Sequence, residues 1–77
     1  MHDADAILDA SGLNCPLPVL KTRKSLSGLQ VGQTLQVIST DPGSKADMQA
    51  FAEATGHRLL KGSEEDGKFV FLIEKTS

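Results

Sequence analysis

Cysteine occurs once in the 77 residues, and tryptophan and tyrosine do not occur at all. A single cysteine excludes an internal disulfide, a Cys-x-x-Cys redox pair and a cysteine-rich zinc site. Three phenylalanines are the whole aromatic content, so platforms for stacking bases are scarce. There is no basic run either. Eight Lys plus Arg against ten Asp plus Glu leave a formal charge of −2, which argues against direct nucleic-acid binding. No apolar stretch approaches the ~18 residues of a membrane-spanning helix. The start, Met1-His2-Asp3-Ala4-Asp5, is acidic and lacks the basic and apolar regions of a secretory signal. These absences predict a soluble, cytoplasmic chain in a reducing compartment, a setting compatible with an unpaired thiol. The length predicts one domain over residues 1–77. A domain this small buries only ~60% of the surface its unfolded chain exposes. With little room for a deep pocket, chemistry is expected at an exposed residue.

What is present centres on Gly12-Leu13-Asn14-Cys15-Pro16-Leu17-Pro18-Val19-Leu20. Proline suits the first turn of a helix, where the leading N–H groups have no intrahelical partner. Cys15-Pro16-Leu17-Pro18 therefore predicts a helix starting at Pro16 with Cys15 as its N-cap. The positive end of the helix dipole would favour thiolate over thiol. Pro16 and Pro18 offer no N–H, so the N–H of Leu17 is the expected free donor near the sulfur. Gly12 suits a tight turn out of the preceding strand. The bland alternative is that Cys15 is a small buried hydrophobe. A strand-to-helix turn flanked by proline favours a surface position instead.

The remaining pattern reads strand, helix, strand, helix, strand, strand. Residues 4–10 alternate, with Ala6, Leu8 and Ala10 on one face and Asp5, Ile7 and Asp9 on the other. The first helix runs to Ser27, stopped by Gly28. Val19, Thr22 and Leu26 face inward, and Lys21 and Lys24 lie opposite. Residues 33–40 form the second strand, with Leu35 and Val37 facing the core. Asp41-Pro42-Gly43-Ser44 is a turn, Ser44 the expected N-cap of the second helix, and Asp47 its partner in a short capping box. Met48, Phe51, Ala52 and Thr55 make the apolar stripe of that helix, ended by Gly56. Residues 58–63 and 68–74 flank a hairpin turn at Asp66-Gly67, with Glu64 and Glu65 at a solvated tip. The last strand is apolar on both faces. Two helices cover only one face of a four-stranded sheet, so Ile38 and one face of that strand are expected to be exposed, with self-association one use for them.

Leu8-Asp9-Ala10-Ser11-Gly12-Leu13-Asn14-Cys15-Pro16-Leu17-Pro18, with Asp41-Pro42 and Asp47 further on and the basic pair Arg23-Lys24, resembles the TusA/SirA-like family of small sulfur-carrier proteins. The resemblance covers nearly the whole chain. It implies an α+β fold, a two-layer α/β sandwich of order βαβαββ, with a four-stranded mixed sheet and two helices on one face. It implies sulfane sulfur carried as a persulfide on Cys15, supported by Gly12, Pro16, Leu17 and Pro18. Sulfur would come from a cysteine desulfurase or rhodanese-like donor and pass to an acceptor protein. Lys21, Arg23, Lys24, Asp41, Pro42 and Asp47 are the candidate docking residues. No cofactor, metal, membrane or direct nucleic-acid partner is expected, and the chain is expected to be a monomer or to self-associate weakly. The branch serving tRNA thiolation commonly has glutamate between the prolines, where this chain has Leu17. That leaves tRNA thiolation, sulfur oxidation, and selenium or cofactor sulfuration open as pathways. An alternative of another class is a non-catalytic interaction module that uses the proline loop as a rigid epitope. A Cys–His hydrolase is disfavoured, since neither His2 nor His57 is well placed.

Overall fold

The computed structural model describes residues 4–14 and 16–76. Cys15 and His2 lie outside the described residues. The elements are β1 (Ala6–Ala10), α1 (Leu17–Ser27), β2 (Thr34–Ser39), α2 (Ser44–Thr55), β3 (Arg58–Glu65) and β4 (Lys68–Glu74). They form one mixed sheet of order β1-β2-β4-β3. β1 pairs parallel with β2, from Ala6 opposite Leu35 to Ala10 opposite Ser39. β4 runs antiparallel to both β2 and β3. β2-α2-β3 is thus a split unit with β4 inserted between its two parallel strands. This is the expected βαβαββ order.

Alternation decides which side of the sheet the helices cover. Ala10, Leu35, Val37, Phe71 and Ile73 are buried beneath Leu26, Met48, Phe51 and Ala52 of the two helices. Ala6, Leu8, Val19, Leu29, Leu59 and Phe69 pack around this cluster. On the opposite face Ile7 is 66% exposed, and Ile38, Val70 and Leu72 are half-buried by their neighbours in the sheet. The second apolar face of β4 is therefore present, as its composition predicts.

Three local expectations change. α1 begins at Leu17, not Pro16: Pro16 is its N-cap and Pro18 falls in the first turn. The N-cap position expected for Cys15 is therefore taken by Pro16, because the helix starts one residue later. The inward face of α1 is Pro18, Thr22 and Leu26, all buried, while Val19 is only partly covered. Thr22 is accommodated because its hydroxyl donates to the Pro18 carbonyl at 2.8 Å, satisfying the buried group inside its own helix. Ser44 is the first helical residue of α2, and Gly43 is the N-cap without a side-chain cap bond. The Ser44 hydroxyl turns back to the Asp41 carbonyl at 2.7 Å, so it closes the turn and no capping box with Asp47 forms. The other end of α2 is as expected, with Gly56 left-handed at φ 82°.

The β3–β4 hairpin turns at Asp66 and Gly67, both at positive φ (51° and 78°), the pair of conformations that suits strand twist. β3 is longer than expected and carries an irregularity between Leu59 and Lys61. That shift leaves Leu60 48% exposed while Leu59 packs on the core. Gly62 lies under the ring of Phe71, where a Cβ would sit 3.6 Å from Cδ1. Leu35→Ala opens a cavity at the sheet centre and is expected to lower stability by about 2–5 kcal/mol, read from the urea midpoint. A loss below ~1 kcal/mol would contradict the close packing assigned to this position.

Candidate functional site

Parallel pairing sends β1 and β2 out of the sheet at the same end, so loops 11–16 and 40–43 are neighbours. β1 leaves through a turn closed by the Leu13 N–H donating to the Ala10 carbonyl at 3.2 Å. Gly12 holds φ +83° in that turn, a value that favours glycine. A Cβ there would meet nothing within 4 Å, so the glycine serves the backbone conformation and not a lack of space. The Ser11 N–H donates to Asp9 Oδ1 at 3.0 Å. The Gly12 N–H crosses to the neighbouring loop and donates to Thr40 Oγ1 at 2.9 Å.

Beyond this turn the chain passes Asn14 and Pro16, the two neighbours of Cys15, and both are exposed. The Leu17 N–H donates to the Asn14 carbonyl at 2.8 Å. This corrects the expectation that Leu17 keeps a free donor for the sulfur. A tight turn into the helix uses it first, and the Leu20 N–H then donates to the Pro16 carbonyl at 3.1 Å. With two prolines and a committed Leu17, positions 16–18 offer no free backbone donor. Their contribution to a nearby anion is the dipole of α1.

Leu17 is 43% exposed and Leu20 52% exposed. Leu17, Lys21 and Lys24 recur at helical spacing on the outer face of α1, and both lysines are exposed. Arg23 is also exposed, about a third of a turn away. The face nearest the loop is thus apolar at its first turn and basic beyond.

Asp41, Pro42 and Asp47 lie on the neighbouring loop and the start of α2. Asp41 Oδ1 accepts the Gly43 N–H at 3.2 Å, and its carbonyl accepts the Ser44 N–H at 3.0 Å. Pro42 occupies the second position of that turn, which its fixed φ suits. The carboxylates of Asp41 and Asp47 both approach Gly43, within 3.8–3.9 Å of where its Cβ would stand. Negative charge there favours the N-terminus of α2. Turn and dipole both favour these residues where they stand.

Two placements were not legible in the sequence. β3 is parallel to β2, so the acidic hairpin tip (Glu64, Glu65, Asp66) lies at this same end, with Phe69 of β4 opposite Ser39. Thr40 reads as an outward strand residue, yet it ties the two loops. A shallow recess of about 110 Å³, lined by Lys45, Gly62, Ser63, Glu64, Phe69 and Phe71, opens beside the hairpin. His57 sits at the opposite end of the sheet, beside the Thr34–Glu74–Arg58 row. That is five residues of strand from Ser39, ~17 Å. Its Nδ1 accepts the Thr76 N–H at 3.2 Å. It is no base for Cys15. Among the described residues no group of three His, Cys, Asp or Glu side chains is arranged for a metal ion. Among the described residues no helix is long and apolar enough to cross a membrane.

Residues 6–75 match the family model described as sulfurtransferase TusA. The chain belongs to the TusA family. It is 57% identical over 76 residues to the sulfur carrier protein TusA of Allochromatium vinosum, covering 99% of this chain and 100% of that one. Identity to the sulfur carrier protein TusA of Pseudomonas aeruginosa is 43% over 74 residues, covering 96% and 94%. The crystal structure of a SirA-like protein from Desulfitobacterium hafniense superposes with a TM-score of 0.82 at 28% identity, over 94% of this chain and 99% of that one. The sandwich that the TusA-like motif implies is the one observed.

Asp9 anchors the turn that opens the loop. Hydrogen bonds from the Ser11 side chain and then its backbone, followed by the charge of Lys68, hold its carboxyl below the usual 3.8. A depressed folded value means the turn's contribution is present above pH 3.8 and fades as pH falls through the lower folded value. A carbon-detected NMR titration is expected to place the Asp9 midpoint below 3.8 in wild type and closer to it in Ser11→Ala. A wild-type midpoint at or above 3.8 would contradict the turn.

Proposed function

We infer that this chain is a sulfurtransferase-type persulfide carrier whose sulfur rides on Cys15, with turnover supplied by its partner proteins. The observation that carries the reading is the Cys15-Pro16-Leu17-Pro18 motif in a chain that belongs to the TusA family over residues 6–75. The Cys15 thiolate attacks the outer sulfur of a donor persulfide. A new S–S bond forms to Cys15, the donor's S–S bond breaks, and the donor cysteine leaves as thiolate. An acceptor thiolate then attacks the outer sulfur of the Cys15 persulfide, and Cys15 departs as thiolate. The exchange needs no external oxidant or reductant, because the sulfane sulfur moves without change of oxidation state. The α1 dipole favours the Cys15 anion as attacker and as leaving group, in place of a general base. Without a second cysteine to resolve the persulfide internally, the sulfur passes to another protein.

Exposure of the loop's flanks supports transfer between proteins and not at a small molecule in a pocket. The donor, a cysteine desulfurase or rhodanese-like protein, and the acceptor dock in turn over the same end of the sheet. Lys21, Arg23 and Lys24 suit an acidic partner, with Asp41, Pro42 and Asp47 at the neighbouring loop. Leu17 presents an apolar contact beside the sulfur. It bears on which acceptor is served, in tRNA thiolation, sulfur oxidation, or selenium or cofactor sulfuration. The reading places the chain in a reducing, cytoplasmic setting.

Intact mass after incubation with a cysteine desulfurase and cysteine, without reductant, tests the reading. A reductant-sensitive gain of one sulfur is expected on wild type and not on Cys15→Ser. A gain on both proteins would remove Cys15 from the role; no gain on wild type, with thiosulfate and a rhodanese also failing, would remove the carrier function. Lys21→Glu with Lys24→Glu is expected to slow loading by about 10-fold at low salt, with the deficit shrinking at high salt. A deficit independent of salt would argue against electrostatic docking at this face. Leu17→Glu is expected to shift transfer toward tRNA-thiolation acceptors, and an unchanged preference would free Leu17 of that role.

A further inference from the structure

Among the described residues, the hydrogen bonds of the Cys15 loop include several that shape it and one that reaches the neighbouring loop. Ser11 to Asp9, Leu13 to Ala10 and Leu17 to Asn14 all join residues close in the chain. They fix the shape of the loop but do not tie it to the loop that follows β2. The Gly12 N–H donates across 28 residues to Thr40 Oγ1 at 2.9 Å. Thr40 stands on firm ground. The next residue, Asp41, gives its N–H to Ser39 Oγ at 3.2 Å, and its carbonyl takes both the N–H and the hydroxyl of Ser44 at the start of α2. The Gly12 backbone adopts φ +83° with open space around its missing Cβ, so its conformation is set by the turn that directs this amide at Thr40.

We propose that Thr40 is a positioning residue for Cys15: its hydroxyl ties the β1–α1 loop to the start of α2 and so fixes the direction from which the sulfur meets a partner's persulfide. The proposal rests on the reading of Cys15 as the sulfur-bearing residue. Exchange at sulfur needs the attacking and leaving sulfurs aligned, and small displacements of a reacting atom cost large factors in rate. Thr40 carries no charge, so its effect falls on orientation and not on ionisation of the thiol.

Thr40→Val keeps the shape and β-branching and deletes the acceptor; Thr40→Ser restores it. The probe is a cysteine desulfurase with cysteine, or thiosulfate with a rhodanese where that donor is productive, and loading is followed by intact mass. Thr40→Val is expected to slow loading by about 2- to 12-fold, the range spanned by one hydrogen bond's net worth. Thr40→Ser is expected to return most of that rate. Gly12 amide exchange should quicken in Thr40→Val, while the pH midpoint of Cys15 alkylation by iodoacetamide stays the same in all three proteins. Should Thr40→Val fail to melt cooperatively, Thr40→Ala carries the same test. Wild-type loading by Thr40→Val, a Thr40→Ser no faster than Thr40→Val, or a moved alkylation midpoint would each overturn the proposal. Cys15→Ser separates the two readings. If it loads like wild type, the Cys15 assignment falls and this proposal with it. If it stays unloaded while Thr40→Val loads at full rate, Thr40 alone is excluded.

Discussion

Parallel pairing of β1 with β2 is the constraint on which the rest depends. Two parallel neighbours cannot be joined by a hairpin, so the chain must cross over through α1. The crossover places the start of α1 and the start of α2 at one end of the sheet, and it lays both helices on one face. β4 then enters between β2 and β3, antiparallel to each. That insertion makes β3 parallel to β2 and brings the hairpin tip to the same end. One end of a 77-residue chain thus collects two loops, two helix N-termini and an acidic turn. The other end holds His57 and the starts of the outer strands β1 and β3.

The chemistry proposed for Cys15 depends on what its surroundings withhold. Two prolines supply no N–H, and the Leu17 N–H is committed to Asn14. An enzyme that stabilises an anion with several converging donors holds it for chemistry inside a pocket. A carrier has the opposite need, since it must give its cargo away. A loop whose residues Asn14 and Pro16 are exposed, and whose Leu17 N–H is already committed, suits the open sulfur that the proposed carrier chemistry requires. The small core agrees with this division of labour: Phe71, Met48 and the aliphatic residues around them fill the space between sheet and helices. The chemistry is left to the rim.

Much of the architecture was legible because each element carries its own punctuation. Gly12, Gly56 and Asp66-Gly67 sit where positive φ is needed, and all four residues adopt it. Leu35 and Val37 alternate into the core, and Met48, Phe51 and Ala52 recur at helical spacing. The errors fell at helix starts, where neighbouring groups compete for the same unpaired donors and acceptors. Ser44 has a capping side chain, but the Asp41 carbonyl was the nearer partner. Leu17 has an N–H beside the cysteine, but the Asn14 carbonyl closed a turn with it first. Pro18 reads as a helix starter and is also a buried core residue.

By itself the sequence determined the motif, the order of elements, most of the faces they bury and the single thiol to which the carrier chemistry is proposed to belong. These depend on residue types and on periodicities of 2 and 3.6 residues, which are local properties of the chain. Only the tertiary structure decided that the acidic hairpin shares an end with the Cys15 loop and that Thr40 holds Gly12 across 28 residues. Those relations follow from strand order and register, which are set by how the whole sheet packs against two helices. No local pattern encodes the insertion of β4 between β2 and β3, so no local pattern could place what lies at either end of it.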